Sequence, residues 1–212
     1  MTRYLLISLL FLICGCSSSY KHLQKTAGDV HCLDKFRPDF SNALFYTQVN
    51  VIGKHLSGLL LIKTMPDSST RIVFSSEAGF KFFDFGFAAD GAFKVYYIID
   101  EMNKKAIVTT LRKDFEIVMM HPYSMQDGYV KRDIDSAYNY YTFPQEKGFN
   151  YYITDACCNN LIRLERASKR KSVVRIHMLD YKNGVPDSIG ITHTNFNFNI
   201  GLKRLEKVTD GN

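Results

Sequence analysis

The chain has 212 residues, 46% of them hydrophobic, and a formal net charge of +6, enough apolar material for one domain with a real core. Sixteen Phe and thirteen Tyr stand against no Trp, an aromatic enrichment that favours sheet over helix. The composition excludes a disordered chain, and a modest basic excess without a nucleic-acid motif points to anionic headgroups before nucleic acid.

In chain order, the first element is a secretory signal. Arg3 supplies a positive charge, residues 4–13 are apolar except for Ser8, and Cys14-Gly15-Cys16 follows directly. An apolar run of this length cannot span a bilayer, which needs about twenty residues. Ile13-Cys14-Gly15-Cys16 resembles a bacterial lipobox, with an aliphatic residue, a small residue before the cut and an acceptor cysteine. Cys14 is not the acceptor, because Ile13 is too bulky for the position before cleavage. Residues 1–15 are therefore expected to be removed, and Cys16 to carry diacylglycerol and an N-acyl chain. No other cofactor is expected. One acyl chain holds a protein only marginally, whereas two or three hold it durably. Residues 16–40 read as the lipidated cysteine and a polar tether beginning Ser17-Ser18-Ser19, with a short helix around Val30–Phe36.

The domain is expected over residues 41–206, and its period is two. Ala43, Phe45, Thr47, Val49 and Val51 share one face of the first strand, which Gly53 ends. Further strands are expected at residues 56–63, 71–76, 80–87 and 93–99, with Asp90-Gly91 a strong hairpin signal. The period then changes once. Ile107, Leu111, Phe115, Val118 and Met119 make an amphipathic helix within residues 103–121, stopped by Pro122. Strands return at residues 138–143, 149–154, 161–166, 173–179, 188–193 and 196–202. In the last, Phe196, Phe198, Ile200 and Leu202 are expected inside. About ten antiparallel strands with one inserted helix define a mainly β, α+β fold, since parallel strands would need helical crossovers. A single sheet of this size should curl into an open half barrel covered by helices. Residues 59–62 and 80–87 are apolar on both faces, as either a hydrophobic cavity or a thick core would require.

With Cys14 removed and Cys16 acylated, Cys32, Cys157 and Cys158 remain. Adjacent cysteines bridge each other only with strain, so a disulfide would join Cys32 to Cys157 or Cys158 and leave one thiol free. Three buried reduced thiols are the alternative. Signs of catalysis are sparse, and the chain does not read as an enzyme. His22, His31, His55, His121, His177 and His193 are scattered without metal-ligand spacing. His177 and His193 are placed to face each other across a strand pair. No base stands near Cys157-Cys158-Asn159, and no nucleophile elbow or phosphate loop occurs. Asp84, Asp100 and Asp155 read as turn and rim residues. Arg166, Lys169, Arg170 and Lys171 form the one dense basic cluster, at an expected hairpin tip; it is either a solvated turn or a contact for anionic headgroups.

The lipobox, FSNALFYTQVNVIGKHLSGLLLIK, the hairpins, EAGFKFFDFGF, the mid-chain helix and a closing GVPDSIGITHTNFNFNIGLKRL together resemble the LolA/LolB superfamily of lipoprotein carriers and acceptors, over residues 40–205. The resemblance implies a half-open barrel whose cavity accepts acyl chains, and an anchored chain stands nearer the LolB side. Glu77-Ala78-Gly79 matches the family's Gly-Pro-x-Gly-like turn without its Pro. Residues 87–92 are the nearest counterpart of the protruding LolB loop. Ser17, in place of the Asp that retains lipoproteins in the inner membrane, implies the periplasmic face of the outer membrane. Implied partners are the membrane, lipoproteins and a soluble periplasmic carrier, and no nucleic acid. Apolar strand and helix faces nominate Phe82, Phe85, Tyr97, Leu111, Phe115 and Phe198 as cavity residues. A structural or accessory lipoprotein, with a barrel filled by its own side chains and a partner-binding surface, is the second reading.

Overall fold

The computed structural model describes residues 18–206, apart from Ile52 and the side chain of Tyr123. The signal segment and Cys16 lie outside the described residues.

Strands β1 (Leu23–Thr26), β2 (Asn42–Val51), β3 (Lys54–Thr64), β4 (Thr70–Ser75), β5 (Lys81–Phe87) and β6 (Phe93–Ile98) precede the one α-helix among the described residues, α1 (Lys105–Met119). After it come β7 (Tyr129–Asp133), β8 (Asn139–Gln145), β9 (Gly148–Thr154), β10 (Leu161–Ala167), β11 (Ser172–Lys182), β12 (Val185–His193) and β13 (Phe198–Arg204). Short 3-10 turns occupy Val30–Phe36 and Pro122–Met125. All strands join one antiparallel sheet in the order β1-β7-β8-β9-β10-β11-β12-β13-β2-β3-β4-β5-β6. The sheet does not close, so β1 and β6 remain edges. The two runs of hairpins are sewn together by β13 and β2, where Ile200 pairs with Val49 and Leu202 with Thr47.

Alternation decides which side chains enter the core. Ala43, Phe45, Thr47 and Val49 are buried along β2, and Phe198, Ile200 and Leu202 along β13. Helix α1 lies over this inner face and buries Leu111, Phe115, Ile117, Val118 and Met119. It ends where Met120 turns into the left-handed region at φ 50°, ahead of Pro122.

Three expectations need correction. The segment read as a tether is packed: β1 pairs with β7, and Tyr20 and Leu23 cover Tyr140, Tyr151 and Ile153. Those residues form a second apolar cluster on the outer face, since Tyr151 and Ile153 alternate with the inward Tyr152. β1 and β7 escape a reading of periodicity because LQKT and YVKRD are short and mostly polar. Phe196, expected inside, is 43% exposed, because β13 begins only at Phe198. His177 and His193 do not face each other: His177 pairs with Gly190 and His193 with Val174, so one ring points outward and the other is buried.

Cys32 is bridged to Cys158, and Cys157 is an exposed free thiol. The bridge pins the Val30–Phe36 turn to the loop between β9 and β10, across a sequence separation of 126. The Tyr141 hydroxyl lies 2.9 Å from Cys32 Sγ.

Candidate functional site

Between α1 and the inner face of β2–β5 and β13 lies a cavity of about 240 Å³. The helix contributes Ile107, Leu111 and Phe115, one or two turns apart on a single face. Across from them stand Val49, Leu60, Phe74, Phe83 and Phe198, each an inward position of its strand. Val51, Leu56, Met102 and Phe196 complete the wall toward one end of the sheet. Thr47 and Thr110 are the only lining side chains with a polar atom, and the Thr47 hydroxyl is turned to the Phe45 carbonyl at 3.5 Å. Such a surface can hold an apolar chain by area burial and offers nothing to orient a polar reactant.

Of the nominated residues, Leu111, Phe115 and Phe198 line this cavity, and Phe82, Phe85 and Tyr97 do not. Phe85 is fully buried beyond the wall, stacked on Phe83 at 4.4 Å and set against Phe93 at 5.3 Å. Phe82 packs partly buried against Phe74 at 4.8 Å and Phe80 at 5.8 Å. Tyr97 is 43% exposed on the outer face, paired with Asp84, with the Lys81 ammonium 5.9 Å from its ring. Register shifts at Phe82, where β5 meets β4, and at Tyr96, where β6 meets β5, decide the directions of Phe82 and Tyr97, and a one-residue bulge leaves no signature in the apolar pattern. Val49, Leu60, Phe74 and Phe83 escaped nomination. The inward phase of β2, already legible as one face, was the signal that could have found Val49.

Behind Phe198 sits a buried polar trio. Asp114 on α1 meets His193 Nε2 at 2.8 Å and the Arg166 guanidinium at 3.2 Å, with Asp114 and His193 side chains fully buried. The His193 ring stacks on Phe198 at 4.6 Å. Burial pulls the Arg166 guanidinium below its usual value, and Asp114 opposes that. Arg166 therefore leaves the exposed basic cluster to which its sequence neighbours belong. The trio joins α1 to β10 and β12 at the edge of the cavity. It can anchor the helix that roofs the cavity.

On the outer face, burial would raise the Asp84 carboxyl, but hydrogen bonds from Arg71 and Lys81 outweigh it and hold the group below its ordinary 3.8. Among the described residues no group of three or more His, Cys, Asp or Glu is disposed to hold a metal ion. The Glu77-Ala78-Gly79 segment is a tight turn with Gly79 at φ +85°, a conformation open to glycine without Pro beside it. The turn after β5 closes through Ala88 N–H to the Ala92 carbonyl at 2.8 Å and presents small and acidic residues instead of a large apolar tip.

No family model and no curated protein matches this sequence. Among solved structures, a LolA superfamily protein from Nitrosomonas europaea superposes with a TM-score of 0.55 at 8% identity, over 85% of this chain and 93% of that one. A DUF1329 family protein from Desulfovibrio piger gives a TM-score of 0.45 at 9% identity, over 84% and 88%. In fold, this chain is similar to a LolA superfamily protein.

Proposed function

We propose that this chain is a lipoprotein, anchored through Cys16, whose cavity takes up acyl chains in lipid or lipoprotein transfer at the periplasmic face of the outer membrane. Its role is binding and handover, not catalysis, with lipoproteins and a soluble periplasmic carrier as partners. The observation that carries this reading is the apolar cavity roofed by α1. At about 240 Å³ it falls just short of the roughly 300–1,000 Å³ of ordinary ligand pockets. An entering chain therefore seats its end and lifts α1 to admit the rest. The lipobox-like Ile13-Cys14-Gly15-Cys16 and the likeness to a LolA superfamily protein support the same reading.

The test is saturable binding of a fluorescent fatty acid to the chain beginning at Ser18, displaced by a lipopeptide. Leu111→Glu places a charge in the cavity and should abolish binding, while Gln48→Glu on the exposed outer face of β2 should leave it unchanged. No saturable binding by the folded parent protein would overturn the proposal in favour of a filled-barrel accessory lipoprotein. The anchor is checked by radioactive fatty-acid labelling, which Cys16→Ala should eliminate.

A further inference from the structure

The alternating hairpins place the turns β2–β3, β4–β5, β8–β9, β10–β11 and β12–β13 at one end of the sheet. The β10–β11 tip holds Lys169, Arg170 and Lys171, all exposed. None of the three enters an ion pair among the described residues. Their backbone is rigidly set: the Ser168 hydroxyl oxygen accepts from the Arg170 and Lys171 amides at 3.2 and 3.0 Å, and Ser168 N–H donates to the Lys171 carbonyl at 2.9 Å. On the neighbouring tip Glu146 and Lys147 cancel, so the local excess remains positive.

The amino-terminal segment is fastened to this same tip. Ser19 N–H donates to the Arg170 carbonyl at 2.8 Å, and the Ser18 hydroxyl to the Lys169 carbonyl at 3.1 Å. Tyr20 locks the segment in place: its hydroxyl donates to the buried Glu165 at 2.5 Å and its ring lies 4.7 Å from Tyr151. Two residues of chain span at most about 7 Å, so Cys16 cannot stand farther than that from Ser18. Phe196, 43% exposed, and Phe80, 59% exposed, lie on turns of the same end. Phe196 also lines the cavity, so the cavity's outer wall reaches that rim.

We propose that this rim is a membrane-docking face: the Lys169–Lys171 tip binds anionic headgroups beside the anchor, and Phe196 is held at the bilayer interface next to the cavity. The proposal rests on the lipid anchor read from Cys16. An acyl anchor on a loose tether would leave orientation free. An anchor fastened to a basic tip combines two membrane signals in one place, each exposed cation adding to attraction for an anionic leaflet. The rim then faces the membrane and the opposite end, with the β5–β6 turn, faces away. An acyl chain leaving the bilayer meets the cavity wall without crossing water.

The chain has no Trp, so one introduced Trp reports its own depth. The lipidated full-length protein is reconstituted into vesicles of brominated phosphatidylcholine with phosphatidylglycerol and floated on a density gradient. The Phe196→Trp protein should be quenched by the brominated chains, and an Ala89→Trp protein, labelled at the opposite end, should not. Adding Lys169→Gln, Arg170→Gln and Lys171→Gln to the first should remove its quenching while flotation persists. Replacing phosphatidylglycerol with phosphatidylcholine should do the same. A protein that floats with both positions equally quenched, or neither, overturns the docking face alone. Undiminished quenching after the triple substitution also overturns it. A protein that does not float overturns the anchor reading, and the proposal with it.

Discussion

Replacing Asp114 with Ala tests whether the buried trio holds α1 to the sheet. Asp114 and His193 side chains are fully buried, and Arg166 keeps 15% of its side-chain surface. Removing one member of a buried ionic set leaves a charge without its partner, a loss of about 3–5 kcal/mol. For a chain of this size each kcal/mol lowers Tm by about 2–4 °C, so Asp114→Ala should melt about 6–20 °C below the parent. Thermal and urea unfolding followed by circular dichroism measure this. Removing the whole trio should behave differently. Asp114 Oδ1, Arg166 Nη1 and His193 Nδ1 make no hydrogen bond among the described residues, so the set is incompletely satisfied. Asp114→Leu combined with Arg166→Met and His193→Phe should therefore recover most or all of the loss. Asp114 follows Leu111 by three residues and adjoins Phe115, so loosening it also loosens the cavity roof, and the single variant should admit the fatty-acid probe faster. An Asp114→Ala protein melting within about 2 °C of the parent would refute the reasoning.

Phe115→Ala removes a ring that is both cavity wall and core, and should cost about 3–5 kcal/mol by urea denaturation. Cys158→Ser opens the Cys32–Cys158 bridge and should lower stability by about 2–5 kcal/mol. Cys157→Ser should leave the midpoint unchanged and abolish maleimide labelling of the folded chain beginning at Ser18, since Cys157 is the exposed free thiol among the described residues. The folded Asp84 carboxyl titrates below its unfolded value of 3.8, so the stability it contributes is present above that pH and is lost as acid carries it through the lower folded value. Asp84→Asn should flatten this part of the acid-unfolding curve below pH 3.8, and a curve of unchanged slope would contradict the Arg71 and Lys81 contacts.

Strand and helix identity was legible because it is local. The period-two runs of β2 and β13, the Asp90-Gly91 turn with Gly91 at φ 91°, and the single change of period in α1 each declare themselves within a dozen residues. From these, an open antiparallel sheet under one helix follows, and Leu111, Phe115 and Phe198 fall on the faces that meet. The tertiary structure decided whatever depends on register or on distant partners. The extra residue Tyr96 in β6 set Tyr97 opposite Asp84 on the outer face, and periodicity does not register a one-residue slip; Phe85 shares the inward face of Phe83 but lies past the end of the cavity. Cys158, not Cys157, faces Cys32 because the loop turns at Cys158 with φ 55°. Asp114, Arg166 and His193 come from three separate elements, and nothing in their sequence neighbourhoods announces that one acid and two bases share a buried site. The amino-terminal segment read as a polar tether because its few apolar residues, Tyr20 and Leu23, show no period; only the outer face of β8–β10 supplies the surface that makes them core.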